Sequence, residues 1–166
     1  CVEMHAKLAQ KHGAKILENQ KVISWQVKKR GVEVTTEQET YQAQKLIVTA
    51  GAWSGEILKS LNLPLTVHRN VMFWFPASDA YRYSTGTPCF AVESDQGFFY
   101  GFPSIDKWGI KIAKHAPGTQ ISNPDQLDRR PQPEDLPPIL HCLQQFLPDI
   151  PRRPPKEVAC MYTMTP

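Results

Sequence analysis

No glycine-rich phosphate loop, no paired cysteines, no long apolar run and no concentrated charge of one sign occur in these 166 residues. Each absence removes a class of function. The 9 glycines are scattered singly and never form Gly-x-Gly-x-x-Gly, so these residues cannot by themselves cradle a dinucleotide pyrophosphate in the usual way. No Gly-x-Ser-x-Gly elbow is present, which counts against an acyl-transfer hydrolase. Cys1, Cys89, Cys142 and Cys160 lie far apart, and no His-x-x-x-His completes a zinc site, so no metal is expected. The longest apolar run, Val71 to Phe75, is far short of the roughly 20 residues that span a bilayer. No charged-then-apolar signal segment opens the chain. We therefore expect a cytoplasmic protein with no membrane partner. A net charge of +3, spread through both halves, is too weak and scattered for phosphate-backbone binding, so no nucleic acid partner is expected.

What is present is ordinary globular composition: 41% hydrophobic and 21% charged residues, enough chain for a real core. Cys1 runs directly into a helical pattern and the chain stops just after an apparent strand, so we expect a piece of a longer protein. Val2 to His12 reads as a short amphipathic helix, with Glu3 and Lys7 at i, i+4 and Gly13 as a stop. Lys15–Leu17, Val22–Val27, Val32–Thr36 and Tyr41–Thr49 read as strands of a small meander closing on a buried strand. Ala50-Gly51 then leads into a helix at about Ser54–Leu61; small residues at that strand end allow close approach of a ligand.

From Leu65 the texture changes to longer, aromatic-rich runs: Leu65–Phe75, Cys89–Glu93, Phe98–Pro103 and Trp108–His115. A boundary near Leu63-Pro64 is expected, dividing residues 1–63 from 64–166. Residues 76–88 and 116–133 read as loops. Leu136, Ile139, Leu140, Leu143, Phe146 and Leu147 recur at helical spacing, with Pro137-Pro138 tolerated in the first turn, and predict a helix that covers a sheet. A proline-stiffened crossing then delivers Val158–Tyr162 as a last strand. The fold class expected is α+β: a mixed, largely antiparallel sheet with flanking helices.

Period-two geometry puts Lys111, Ala113 and His115 on one strand face. Lys111 and His115 are then about 13 Å apart, too far for a mutual hydrogen bond but suited to two ends of one flat ligand. A turn centred on Ile105-Asp106 would set Tyr100 directly across from Lys111, although a one-residue slip would send it to the other face. The plain alternative is a hairpin whose lysine and histidine meet water. A lysine desolvated beside a cofactor can offer positive charge to a developing anion, and a histidine can orient a carboxylate or move a proton near neutral pH. His5, His12, His68 and His141 have no partners at telling spacing, and Cys89 and Cys142 read as reduced, mostly buried thiols.

Four stretches, Leu46 to Trp53, Tyr100-Gly101-Phe102-Pro103, Gly109 to Ile112 with His115, and Cys160-Met161-Tyr162-Thr163, resemble in order and spacing the monomeric sarcosine oxidase and N-methyltryptophan oxidase family. The likeness extends over essentially the whole chain. It implies the middle of a two-domain, FAD-dependent amine oxidase that converts a small N-methyl amino acid to an imine and reduces dioxygen to hydrogen peroxide. Carried over residue by residue, it implies that Cys160 holds the flavin covalently and that Lys111 promotes oxygen reduction. Tyr100 and His115 would line the substrate pocket, and Val22, Thr49, Ala50 and Gly51 would lie on the adenosine and pyrophosphate side. Trp53 would pack without contact. Residues 1–63 would be part of the FAD-binding domain and 64–166 a substrate domain truncated at its C-terminal end. The family's glycine-rich loop and the final part of its substrate carboxylate site would lie outside this chain, so the piece alone is expected to be inactive and free of flavin. Met164 stands where relatives often carry lysine. Two other readings stay open: a non-catalytic scaffold that keeps the fold without flavin, and a related dehydrogenase that uses another electron acceptor.

Overall fold

In the computed structural model, which describes residues 1–166, a small three-stranded sheet is followed by a larger six-stranded sheet that carries one helix on its inner face. The first element, α1 (Val2–Lys11), has Glu3 in its first turn and Lys11 in its last, both favourable to the helix dipole. Gly13, at φ +89°, ends it. None of its residues is buried. The meander comprises β1 (Val22–Lys28), β2 (Gly31–Thr36) and β3 (Thr40–Ala43), paired antiparallel in that order.

Two expected strands do not form. Lys15–Leu17 is irregular, and of Tyr41–Thr49 only the first residues pair, within β3. A strand exists by hydrogen bonding to a neighbour, and neither segment meets a sheet edge. Ile47 is consequently 85% exposed instead of buried. The helix expected at Ser54–Leu61 is broken into a 3-10 turn at Gly51–Trp53, a single α turn, α2 (Ser54–Ile57), and a second 3-10 turn at Lys59–Leu61. Gly55 weakens the middle and left-handed Asn62 terminates it.

The larger sheet is built on β4 (Thr66–Phe75). Along one of its edges runs β9 (Lys156–Met164) over its whole length. The other edge is shared: β7 (Ile110–Lys114) takes Met72 to Phe75 and β8 (Thr119–Ile121) takes Val67 to Arg69. Beyond β7 lie β6 (Gly97–Phe102) and then β5 (Phe90–Ser94), every pair antiparallel. The strand β8 falls inside the segment expected to be loop; with only three residues it leaves no readable alternation. At Gly109, φ is +89° and an added Cβ would lie 1.9 Å from the Phe75 carbonyl oxygen, so only glycine lets β7 begin beside the end of β4.

Alternation divides the sheet into two faces. Phe73, Phe75, Phe99, Ile110 and Ile112 point to one side and are almost completely buried there. They pack against α3 (Pro137–Phe146), whose Ile139, Cys142 and Leu143 recur at i, i+3, i+4. Each such side chain stabilises the fold by roughly 1.5–3 kcal/mol through burial. The burial expected of the cysteine thiols holds for Cys142 and fails for Cys89, which the structure leaves exposed. Buried Arg69 lies on this inner side; its guanidinium donates to the Asp128 and Arg130 carbonyls at 2.8 and 2.6 Å and to the Asp135 carboxylate at 2.9 Å, tying down the segment that leads into α3. The opposite face is left for other use.

Candidate active site

Tyr100, Lys111, His115 and Cys160 all belong to that opposite face. Tyr100 pairs with Ala113 and Phe102 with Lys111, so the expected direct pairing of Tyr100 with Lys111 is displaced by two residues. The connection from Pro103 to Gly109 is longer than the tight turn assumed, and it includes Ser104 bound back to Tyr81 and a turn at Asp106. A two-residue displacement preserves the face, and Tyr100 therefore stays with Lys111 and His115. On the neighbouring strands Trp74 stands opposite Lys111, and Cys160 opposite Asn70.

Strands β6 and β9 are separated by β7 and β4, about 14 Å apart, and the Tyr100 and Tyr162 side chains lean toward each other across that span until their hydroxyls are 3.0 Å apart. Ala113 lies beneath them, 1% exposed, its small side chain making room. The His115 ring is bracketed by Phe98, Tyr100 and Tyr162 at centroid distances of 5.9, 6.1 and 5.7 Å. Burial, then the Tyr162 hydroxyl, push the Tyr100 phenol well above its usual range, so it remains a neutral hydrogen-bonding group.

Lys111 occupies the other end. Its ammonium lies 5.3 Å from the ring centres of both Trp74 and Phe102. No carboxylate pairs with it, since the four ion pairs join Lys28 to Glu33, Arg69 to Asp135, Arg82 to Asp79 and Arg130 to Asp128. Aromatic faces hold a cation while leaving its charge uncancelled. Lys156 sits 4.6 Å from the Trp74 ring and 5.3 Å from that of Trp108, adding a second unpaired charge to the same end. Cys160 is half-buried; burial pushes its thiol up and the Lys111 ammonium pulls it back down.

The other expected residues gather elsewhere. Val22, Thr49 and Ala50 line an apolar depression of about 230 Å³ with Trp25, Leu46 and Ile57. Gly51 lies just outside it and opens the 3-10 turn that packs against β9. The same turn carries Trp53, whose indole donates to Asp125 at 2.8 Å instead of merely packing. Sequence reasoning missed Tyr162, Trp74 and Asn70. The only signal for Asn70 is its place directly before the uninterrupted apolar run Val71–Phe75 of β4.

A family model described as FAD dependent oxidoreductase matches residues 2–166. The chain belongs to that family. Monomeric sarcosine oxidase of Bacillus sp. (strain NS-129) is 36% identical over 171 residues, an alignment covering 100% of this chain and 44% of that protein. N-methyl-L-tryptophan oxidase of Yersinia pestis (strain Pestoides F) is 36% identical over 158 residues, covering 93% of this chain and 41% of that protein. Among solved structures, NikD, an amino acid oxidase of nikkomycin biosynthesis, superposes with a TM-score of 0.73 at 20% identity, over 95% of this chain and 42% of that one, which speaks for the fold. The chain thus spans less than half the length of these relatives. The resemblance drawn from four short motifs holds along its whole length, and the α+β, antiparallel architecture is that of this FAD-dependent family.

The face fits a flat, electron-accepting ring system. It offers a half-buried thiol, an uncancelled ammonium and a wall of tyrosine, phenylalanine and tryptophan rings. No three histidine, cysteine or acidic side chains gather in one place, and no helix is long and apolar enough to cross a membrane.

Proposed function

We propose that the parent protein oxidises the carbon–nitrogen bond of a small N-methyl amino acid, of the sarcosine or N-methyltryptophan kind, to an imine that water hydrolyses. FAD, when bound, supplies the acceptor for the hydride from the substrate carbon and passes the two electrons to dioxygen, which takes two protons to become hydrogen peroxide. The single observation behind this reading is the convergence of Tyr100, Lys111, His115 and Cys160 on one sheet face from three separate strands. The names of the aligned relatives support the substrate class.

In this reading Cys160 Sγ is the atom that carries the covalent link to the flavin. The Lys111 ammonium, held between Trp74 and Phe102, lies beside the place where negative charge grows on dioxygen. Tyr100 and His115 form an aromatic wall that excludes water from the substrate carbon and orients the amine. The Tyr100 hydroxyl stays neutral, and its hydrogen-bonded pair with Tyr162 leaves one O–H to donate into the pocket. Val22, Thr49, Ala50 and Gly51 belong to the adenosine and pyrophosphate side of the cofactor. Residues 1–63 would then be part of the FAD-binding domain and 64–166 the substrate domain.

The test uses the full-length protein. We expect it to be yellow, to keep its flavin through acid precipitation, and to release peroxide in air with sarcosine or N-methyltryptophan. Turnover with an artificial acceptor but without peroxide would make it a dehydrogenase, and a colourless protein inert to both amines would leave a scaffold.

A further inference from the structure

We infer that Asn70 is a positioning residue for His115, because its side-chain amide holds closed the break in the sheet beside which the imidazole projects. The inference rests on the reading of His115 as a pocket residue. Between the pairs Met72 with Ala113 and Arg69 with Thr119, β4 advances three residues while the facing chain advances six. The extra residues make an excursion around Ala116, Pro117 and Gly118, whose backbone groups have no strand partner on β4.

Asn70 replaces that partner. Its Nδ2 donates to the Ala116 carbonyl at 2.8 Å, and the Gly118 N–H donates to its Oδ1 at 2.9 Å. One amide thus reproduces both halves of a missing ladder rung while only 7% exposed, where an unpaired backbone group is costly. Gly118 is required for the fit, because a Cβ there would lie 1.9 Å from the Arg69 carbonyl oxygen and 2.6 Å from Asn70 Oδ1. A second contact comes from His68, two residues along the same face: its Nδ1 is 2.8 Å from the Gly118 carbonyl oxygen and its Nε2 is 3.1 Å from the Thr66 hydroxyl. The carbonyl can only accept, so Nδ1 carries the proton.

His115 is the residue directly before Ala116. Its own backbone N–H donates to the Phe98 carbonyl at 2.7 Å, which keeps it with β6. Its side chain lies against the Phe98, Tyr100 and Tyr162 rings while its outer edge stays exposed to solvent. The imidazole is therefore aimed by the backbone, fixed by β6 on one side and by the Asn70 grip on the other.

The test uses the full-length flavoprotein with its histidines labelled with carbon-13 at Cε1, the His115 resonance being assigned by His115→Asn. In folded Asn70→Ala we expect that resonance to move toward the position of a free histidine, as the three rings beside it fall out of register. We also expect kcat/KM for sarcosine or N-methyltryptophan, whichever is turned over, to fall about 10- to 100-fold, the scale of an ångström-sized misplacement. A lower melting temperature with an unchanged His115 resonance would mean a purely structural asparagine and would overturn the inference. Where Asn70→Ala does not fold, Asn70→Asp decides: it keeps the acceptor for Gly118 and loses the donor to Ala116, so a smaller displacement of the same sign is expected and none would overturn the inference. If His115→Asn leaves kcat/KM untouched, the pocket role of His115 fails, while a displaced resonance in the Asn70 variants still upholds the brace.

Discussion

Replacing Lys111 by methionine removes one positive charge and keeps most of the side-chain volume. The ammonium is half-buried between Trp74 and Phe102 and has no carboxylate to cancel it, so its field acts in full on whatever lies above the face. A unit negative charge developing about 4 Å away, at an effective dielectric of about 20, gains about 4 kcal/mol from it. Solvent reaching a half-exposed group reduces that figure, and we take about 3–4 kcal/mol, or about 10²- to 10³-fold in rate, as the expected loss. The loss should fall on the step in which dioxygen acquires negative charge. Hydride departure from the amine leaves the substrate more positive, so that step should change far less. Stopped-flow measurement of the full-length enzyme separates the two: anaerobic reduction by substrate, then reoxidation in air-saturated buffer. Loss of the two cation–π contacts lowers stability by only about 1 kcal/mol, so misfolding should not obscure the result. Equal slowing of both half-reactions, or reoxidation at the original rate, would refute the reasoning.

Three further outcomes are expected. Cys160→Ala in the full-length protein should release its flavin on acid precipitation, and colour retained in the pellet would place the attachment at another residue. Burial raises the Cys160 thiol while Lys111 opposes it, so the neutral thiol persists above its ordinary range and the thiolate fraction climbs with alkalinity. Covalent incorporation of FAD into apoprotein should accordingly quicken between about pH 7 and 9, as followed by flavin fluorescence of the denatured band; a rate that falls over that interval contradicts the assignment. Phe75→Ala removes a completely buried ring from the inner face and should destabilise the protein by about 3–5 kcal/mol in urea unfolding; a loss below about 1 kcal/mol would mean the cavity collapses and the packing is looser than described.

What could be read in the sequence was whatever depends on neighbours within one segment. The apolar run that ends at Phe75 and the helical spacing of Ile139 and Leu143 are local properties, and both elements form, with Ile139 and Leu143 buried. Lys111, Ala113 and His115 share a face for the same reason, since period-two geometry needs no knowledge of the partner strand. Lys15–Leu17 and Leu46–Thr49 have equally strand-like composition and form none, because pairing is a property of two segments.

The register of Tyr100 depends on the length of the connection between β6 and β7, and only the parity of the error kept it on the right face. The meeting of Tyr100 and Tyr162 has no local signature either, because it depends on the order of four strands. His115 carries the argument furthest. Alternation assigns its face but not its surroundings, which follow from three residues inserted between β7 and β8 and absorbed by Asn70 on a strand more than forty residues earlier. An asparagine directly before the apolar run Val71–Phe75 was the one trace of that insertion in the sequence. It becomes intelligible only once the broken ladder beside it is seen, because the asparagine repairs a defect that lies in another segment.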